Sequence, residues 1–235
     1  MTSSRTAPID AIDVAVFDVL GTMVDEPGGL RTALREAVPG SDDSAVEELL
    51  TEWQKHVEEQ QDDIASGRRS YVSTDVVDRE AAVRAADRAG VRDPAVIERL
   101  ATAPRRLPAW PDAAAALARF GQHLPVVALS NASHAALLRL NAYADLRWHL
   151  ALSAEAAEAY KPAASVYQLA FVAAATPPER TLMVAAHASD LRGAQAAGMR
   201  TAYVERPVGD PLRASDDFDW QVGSIDELID SLTTG

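Results

Sequence analysis

Residues 14–25 read VAVFDVLGTMVD, an apolar run that stops on an acid and is followed at once by a glycine and a threonine. This pattern is a strand delivering the carboxylate of Asp18 to its C-terminal tip, the place where α/β sheets put their chemistry. Gly21 permits the turn and Thr22 offers a hydroxyl beside the acid. Two residues after Asp18 stands Leu20, which can neither donate nor accept a proton. Short apolar strand signals recur at 124–129, 147–152, 181–186 and 200–204, after the first at 12–17. Helical patterns lie between most of them, at 113–120, 133–141 and 163–174. Such alternation predicts a Rossmann-like α/β core, a parallel sheet with helices on both faces. The C-terminal piece DFDWQVGSIDELIDSL reads as an edge strand, a Ser224 cap and a final helix.

From the first strand to residue 107 no further strand signal occurs. Leu30, Leu34 and Val38 sit at helical spacing, as do Val46, Leu49, Leu50, Trp53 and Val57 after the polar opening SDDS at 41–44. A third helix is expected from Thr74 to Ala89, stopped by Gly90, and a fourth over about 94–102, before Pro104. The acidic run EEQQDD at 58–63 reads as a solvated helix face. The polar segment GDPLRASDD at 209–217 reads as a surface connection.

Composition removes several function classes. The 22 basic and 35 acidic residues give a formal net charge of −13, which argues against nucleic acid and anionic membranes as partners. A local positive pocket must then hold any anionic substrate. There is no cysteine, hence neither a disulfide nor a thiolate metal site, which fits a cytoplasmic protein. No window approaches a membrane span. The N-terminal MTSSRTAPID lacks the apolar stretch of a secretory signal.

Four stretches in order carry a resemblance. VAVFDVLGTMVD resembles the first motif of the haloacid dehalogenase-like hydrolases, DxxGT after a strand. VVALSN at 126–131 is similar to their second motif, YKPAASVY at 160–167 to the third, and LMVAAHASDLRGA at 182–194 to the fourth. The last two look most like the type II 2-haloacid dehalogenases. The resemblance implies a core of residues 1–26 and 108–235 and an all-helical cap, residues 27–107, inserted after the first strand and closing over Asp18. It implies Asp18 as a nucleophile that forms an aspartyl ester, which water then hydrolyses. Lys161 would neutralise and orient Asp18, and Thr22, Ser130 and Asn131 would position Asp18 and the substrate. Asp190 would orient or activate water, and His187 would either hydrogen-bond a neighbour or hold Asp190 and the water. Backbone N–H groups near residues 22 and 131 would bind the substrate carboxylate.

Two positions separate this pattern from the phosphatases of the family. Those carry an acid where Leu20 stands, to protonate an alkoxide, and another where Ala186 stands, to help hold Mg²⁺. A halide needs no proton, so the expected reaction is metal-free and cofactor-free displacement on a short 2-haloalkanoate, with the substrate and water as small-molecule partners. The alternatives are a phosphatase- or phosphonatase-like hydrolase and a scaffold retained for binding. Leu20, Gly21, Met23, Trp53, Gln54, Tyr71, Trp110 and Tyr167 are the expected substrate-binding residues, although the aromatics also suit plain packing. A cap-mediated homodimer is the family-based expectation. One departure stands out. Relatives place an arginine on the second cap helix to receive the halide, and here Gln54 holds that position. Lys55, His56, Arg31 and Arg35 are the candidates to replace it. Ala185 and His187 also stand where Ser and Asn are usual.

Overall fold

A computed structural model describes residues 9–210 and 212–234. Most of the N-terminal stretch read above, residues 1–8, lies outside the described residues. Six strands form one sheet: β1 (Val14–Phe17), β2 (Val126–Ser130), β3 (Leu150–Ser153), β4 (Thr181–Ala185), β5 (Arg200–Val204) and β6 (Trp220–Val222). Their order is β3-β2-β1-β4-β5-β6 and every pairing is parallel. The order reverses at β1, so Asp18 leaves the sheet at its topological switch point, where a crevice must open.

Strand side chains alternate faces, and this splits the interior in two. Ala15, Phe17, Ala128, Val184 and Ala202 pack with the helices α5 (Ala113–Phe120), α6 (His134–Tyr143) and α9 (Ile225–Thr233). Val14, Val16, Val127, Leu129 and Met183 face the other way, onto α7 (Ala164–Ala174) and α8 (Ala188–Ala196). With both faces covered, all four residues of β1 are buried. β3 is an edge strand with Leu150 exposed, which explains why its signal in the sequence is displaced toward residue 147.

Between β1 and α5 the chain forms α1 (Glu26–Ala37), α2 (Asp43–Ala65), α3 (Thr74–Arg88) and α4 (Pro94–Ala101). Three of the four starts are capped by a side chain. The Asp25 carboxylate accepts from Gly28 N, Asp42 from Ala45 N, and Asp93 from Ala95 N with Pro94 in the first turn. α3 ends where Gly90 takes φ +71°. The chain leaves and rejoins the sheet layer through adjacent segments, since Val24 bridges Ala109 and Asp25 N donates to Pro108 O at 2.8 Å. The helical insertion and one face of the sheet share a single buried cluster that runs through Met23, Val24 and Leu107. Met23, expected to contact substrate, is instead fully buried in that cluster, because the helical turn after Asp18 points it inward.

One further expectation changes. α2 runs to Ala65, and the acidic run on it is not simply solvated: Glu58, Gln61 and Asp62 line a cavity. The surface connection expected at 209–217 is tied down at Asp210 and Asp216. Asp216 is bonded to Arg192 at 2.8 Å, and Asp210 reaches back to the first turn of α8.

Phe17 is fully buried against Phe120, ring centroids 5.3 Å apart edge-to-face, and against Trp148 at 5.7 Å. Phe17→Ala should cost about 3–5 kcal/mol in urea unfolding, whereas Leu138→Ala, on an exposed helix face, should change stability by less than about 0.5 kcal/mol. Equal effects at both positions would contradict this packing.

Candidate active site

Asp18 follows β1 directly and lies in a cavity of ≈ 400 Å³ between the sheet's C-terminal edge and the inserted helices α1, α2 and α3. It is 6% exposed. Thr22 Oγ1 donates to Asp18 Oδ2 at 2.6 Å, and the same hydroxyl oxygen accepts from Ala186 N at 2.9 Å. That second bond leaves the Thr22 proton only the carboxylate to serve, so the carboxylate plane is fixed from one side. Lys161 Nζ donates to Asp18 Oδ1 at 2.8 Å and to Asp190 Oδ2 at 2.7 Å. Its own backbone N–H donates to Asn131 Oδ1 at 2.8 Å, which ties the third motif to the second.

The two carboxylates diverge. Burial works against both charges. At Asp18 the charges of Lys161 and His187 and the bonds from Lys161 and Thr22 overcome it, and the pKa lies below the usual carboxylate range. At Asp190 burial and the nearby Asp18 charge prevail over Lys161 and Tyr167, and the pKa is raised. Lys161 is desolvated, yet held between two acids it stays an ammonium with a raised pKa. The result is an ionised nucleophile beside a carboxyl whose proton affinity is greater. Tyr167 Oη donates to Asp190 Oδ1 at 2.7 Å and lies 2.9 Å from Asp190 O. It does not line the cavity, so its place is behind Asp190 rather than against a substrate.

Of the two expectations for His187, bonding a neighbour or holding Asp190 and water, the structure gives the first. Its Nε2 lies 3.2 Å from Leu20 O and its Nδ1 3.2 Å from Asp210 Oδ1. Both partners are acceptors, so satisfying both requires a proton on each nitrogen. Burial opposes that charge, but the Asp210 bond and the charges of Asp18, Glu26 and Asp210 outweigh it and push the pKa up to about 9.

The other sequence-derived residues fall into two groups. Leu20, Trp53, Gln54 and Asn131 line the cavity with Asp18, Lys161, His187 and Asp190. Ser130, Gly21, Tyr71 and Trp110 do not. Ser130 is fully buried and its Oγ accepts from Ala132 N at 3.1 Å, so it shapes the turn after β2 and does not touch Asp18. Gly21 has φ +76° and lies so close to His187 that a Cβ would approach Nε2 to 2.5 Å, while its carbonyl accepts from Trp110 Nε1 at 2.9 Å. Both residues therefore support the turn that carries Leu20. Tyr71 packs on Tyr160, ring centroids 5.4 Å apart. The N–H groups of Ala132 and Ser133, expected to hold a substrate anion, are engaged by Ser130 Oγ and by Thr74 Oγ1 at 2.7 Å.

None of the candidate replacements for the cap arginine lines the cavity. Arg31 is paired with Glu47, Arg35 with Asp43 at 2.7 Å, Lys55 lies 3.7 Å from Glu59, and His56 is buried 3.3 Å from Glu80. Three acids in the site have no counterpart in the motif reading: Glu26, Asp78 and Asp210. Burial, opposed by His187 and reinforced by the Asp18 charge, pushes Glu26 up to about 7. Burial, with Glu26 and Asp75 adding and Arg105 opposing, holds Asp78 well above the usual range. The signal for Asp78 was present in the sequence, a charged residue inside the apolar stripe Val77, Ala81, Ala82 and Ala85 of α3.

Among the described residues no group of three or more His, Cys, Asp or Glu side chains is arranged to hold a metal ion, and the Lys161 ammonium occupies the space between Asp18 and Asp190. This donor set does not fit a divalent ion, because a cation already bridges the carboxylates an ion would need.

A model of the family described as haloacid dehalogenase-like hydrolase matches residues 12–198. Among solved structures, a defluorinating L-2-haloacid dehalogenase superposes with a TM-score of 0.85 at 26% identity, covering 94% of this chain and 95% of that one. A second L-2-haloacid dehalogenase gives 0.86 at 28%, covering 95% and 100%. The L-2-haloacid dehalogenase from Xanthobacter autotrophicus, with chloropropionic acid covalently bound, gives 0.79 at 25%, covering 92% and 96%. No curated protein matches.

The His187 pKa is raised from 6.5 to about 9, so the stability it contributes is fully present below pH 6.5 and is lost as pH rises through 9. In urea unfolding across that window, the stability difference between the protein and its His187→Gln variant should be greatest near about pH 6 and shrink toward pH 10. A difference independent of pH would mean that His187 is not an imidazolium in the fold.

Proposed function

The chain belongs to the haloacid dehalogenase-like hydrolases, and we propose that within this family it hydrolyses the carbon–halogen bond of 2-haloalkanoic acids. The observation that carries this reading is the state of Asp18: ionised, buried, held by Thr22 and Lys161, and without an acid two residues on. The similarity to L-2-haloacid dehalogenases over more than nine-tenths of the chain supports it.

In this reading an Asp18 oxygen attacks the α-carbon from the side opposite the halogen. The C–O bond forms as the C–X bond breaks, and halide departs with the bonding electrons, so no proton is needed. Lys161 keeps Asp18 anionic yet oriented. Asn131 and the segment at Leu20 hold the substrate's carboxylate near Lys161 and the His187 imidazolium. The resulting ester is cleaved by water attacking its carbonyl carbon. Asp190, with its higher proton affinity, takes the proton of that water, and Tyr167 holds Asp190 in place. The product is the 2-hydroxy acid, and Asp18 is regenerated.

Halide release from 2-chloro- and 2-bromoalkanoates should persist in excess EDTA and vanish in Asp18→Asn. One turnover in ¹⁸O-water should place the label in Asp18, since the product's hydroxyl oxygen comes from the enzyme. Phosphate release from an aryl phosphate that EDTA abolishes would instead establish the metal-dependent alternative.

Asp190→Asn should retain a burst of about one halide per site and then stall, with ester hydrolysis slowed by about 10²–10⁴-fold. Rapid-quench kinetics and mass spectrometry of the Asp18 peptide read both. Loss of the burst together with steady turnover would place Asp190 outside the second step.

A further inference from the structure

The cavity lining holds six carboxyl groups against the two cations Lys161 and His187, both of which belong to the Asp18 side. On the side of the inserted helices the ionisable lining residues are all acidic: Glu26 at the start of α1, Glu58 and Asp62 on α2, and Asp78 on α3. Asp78 is 8% exposed, lines the cavity and has no hydrogen-bond partner among the described residues. Arg105, whose charge reaches it, is committed to Asp75 at 3.1 Å. Buried carboxyls without partners are destabilising unless something satisfies them.

We propose that this side of the cavity is a subsite for an organic cation, in which Asp78 and Glu26, with Glu58 and Asp62 at the rim, receive an ammonium group carried by the substrate. An anion is a poor occupant, since Glu58 and Asp62 would repel it and Arg105, the basic residue whose charge reaches Asp78, is paired with Asp75 and does not line the cavity. A metal ion is a poor one too, since no metal-holding group is present among the described residues. An ammonium group carries three donors and a compact charge, matching carboxylates set around a cavity. The space agrees: ≈ 400 Å³ falls within the roughly 300–1,000 Å³ of pockets that take ligands larger than a two- or three-carbon haloacid. Binding would draw Asp78 and Glu26 into their ionised forms, reversing the effect that burial has on them in the empty cavity.

The substrate class follows on the reading of Asp18 as the displacing nucleophile: 2-haloacids with an amino group toward the far end of the chain. Halide release should be compared between ω-amino 2-chloroacids of three to six carbons and the same acids without the amino group. For at least one length the amino acid form should have a kcat/KM tenfold or more higher. Asp78→Asn should remove most of that preference, and so should Glu58→Gln, an exposed change that leaves the fold intact. Preference for the unsubstituted acids at every length, or a preference unchanged in both variants, overturns the proposal. Should no compound release halide, the displacement reading fails, and the subsite is decided by binding alone. Calorimetry should then show 6-aminohexanoate bound by the protein at least tenfold more tightly than hexanoate and weakened by Asp78→Asn. Equal affinities, or no binding of 6-aminohexanoate, overturn the subsite itself.

Discussion

One ammonium group holds the centre of this molecule together. Lys161 Nζ is buried between Asp18 and Asp190, 2.8 and 2.7 Å from their oxygens, and without it two desolvated carboxylates would share one small volume. A buried charge pair persists only where geometry and further hydrogen bonds compensate desolvation. Here Thr22 completes Asp18, Tyr167 completes Asp190, and Asn131 fixes the Lys161 backbone. The arrangement therefore draws on β1, β2, β4 and the segments before α7 and α8 at once. Parallel pairing brings those strand ends to one edge, and the reversal of strand order at β1 opens the space in front of them.

A second feature follows from what the same cavity lacks. Arg31, Arg35, Arg88 and Arg79 of the inserted helices pair on outer surfaces with Glu47, Asp43, Glu48 and Glu98, whereas Glu26, Glu58, Asp62 and Asp78 line the cavity. Positive charge is thus concentrated at the strand tips and negative charge opposite. A ligand carrying an anionic end and a cationic end is complementary to such a polarised space, and a simple anion to only half of it. His187 belongs to the positive side by construction, since Leu20 O and Asp210 can both be satisfied only by an imidazolium.

Much of the fold was legible because periodicity is local. The helix at 113–120 is found at those residues, the third insertion helix begins at Thr74 as its spacing implied, and Ser224 caps the last helix. Errors arose where an edge strand weakens its own pattern, as at β3, or where a segment's partner is remote. The part Asp210 plays in the site was not legible because its bonds to His187 and Ser189 span more than twenty residues. Met23 looked like pocket wall because it follows the nucleophile closely, yet the turn around Gly21 aims it into the apolar cluster.

By itself the sequence determined that strands alternate with helices, that Asp18 and Asn131 stand just beyond strand ends, and that position 20 holds no acid. These follow from residue order and two short periods. Only the tertiary structure decided which face of α2 meets Asp18, that Ser130 and the N–H groups after it are engaged internally, and that Glu26 and Asp78 converge on the cavity without partners. The physical reason is that helical periodicity defines a stripe but not the surface it will meet. The packing of the four inserted helices against the sheet selects that surface, and with it the charge a ligand encounters.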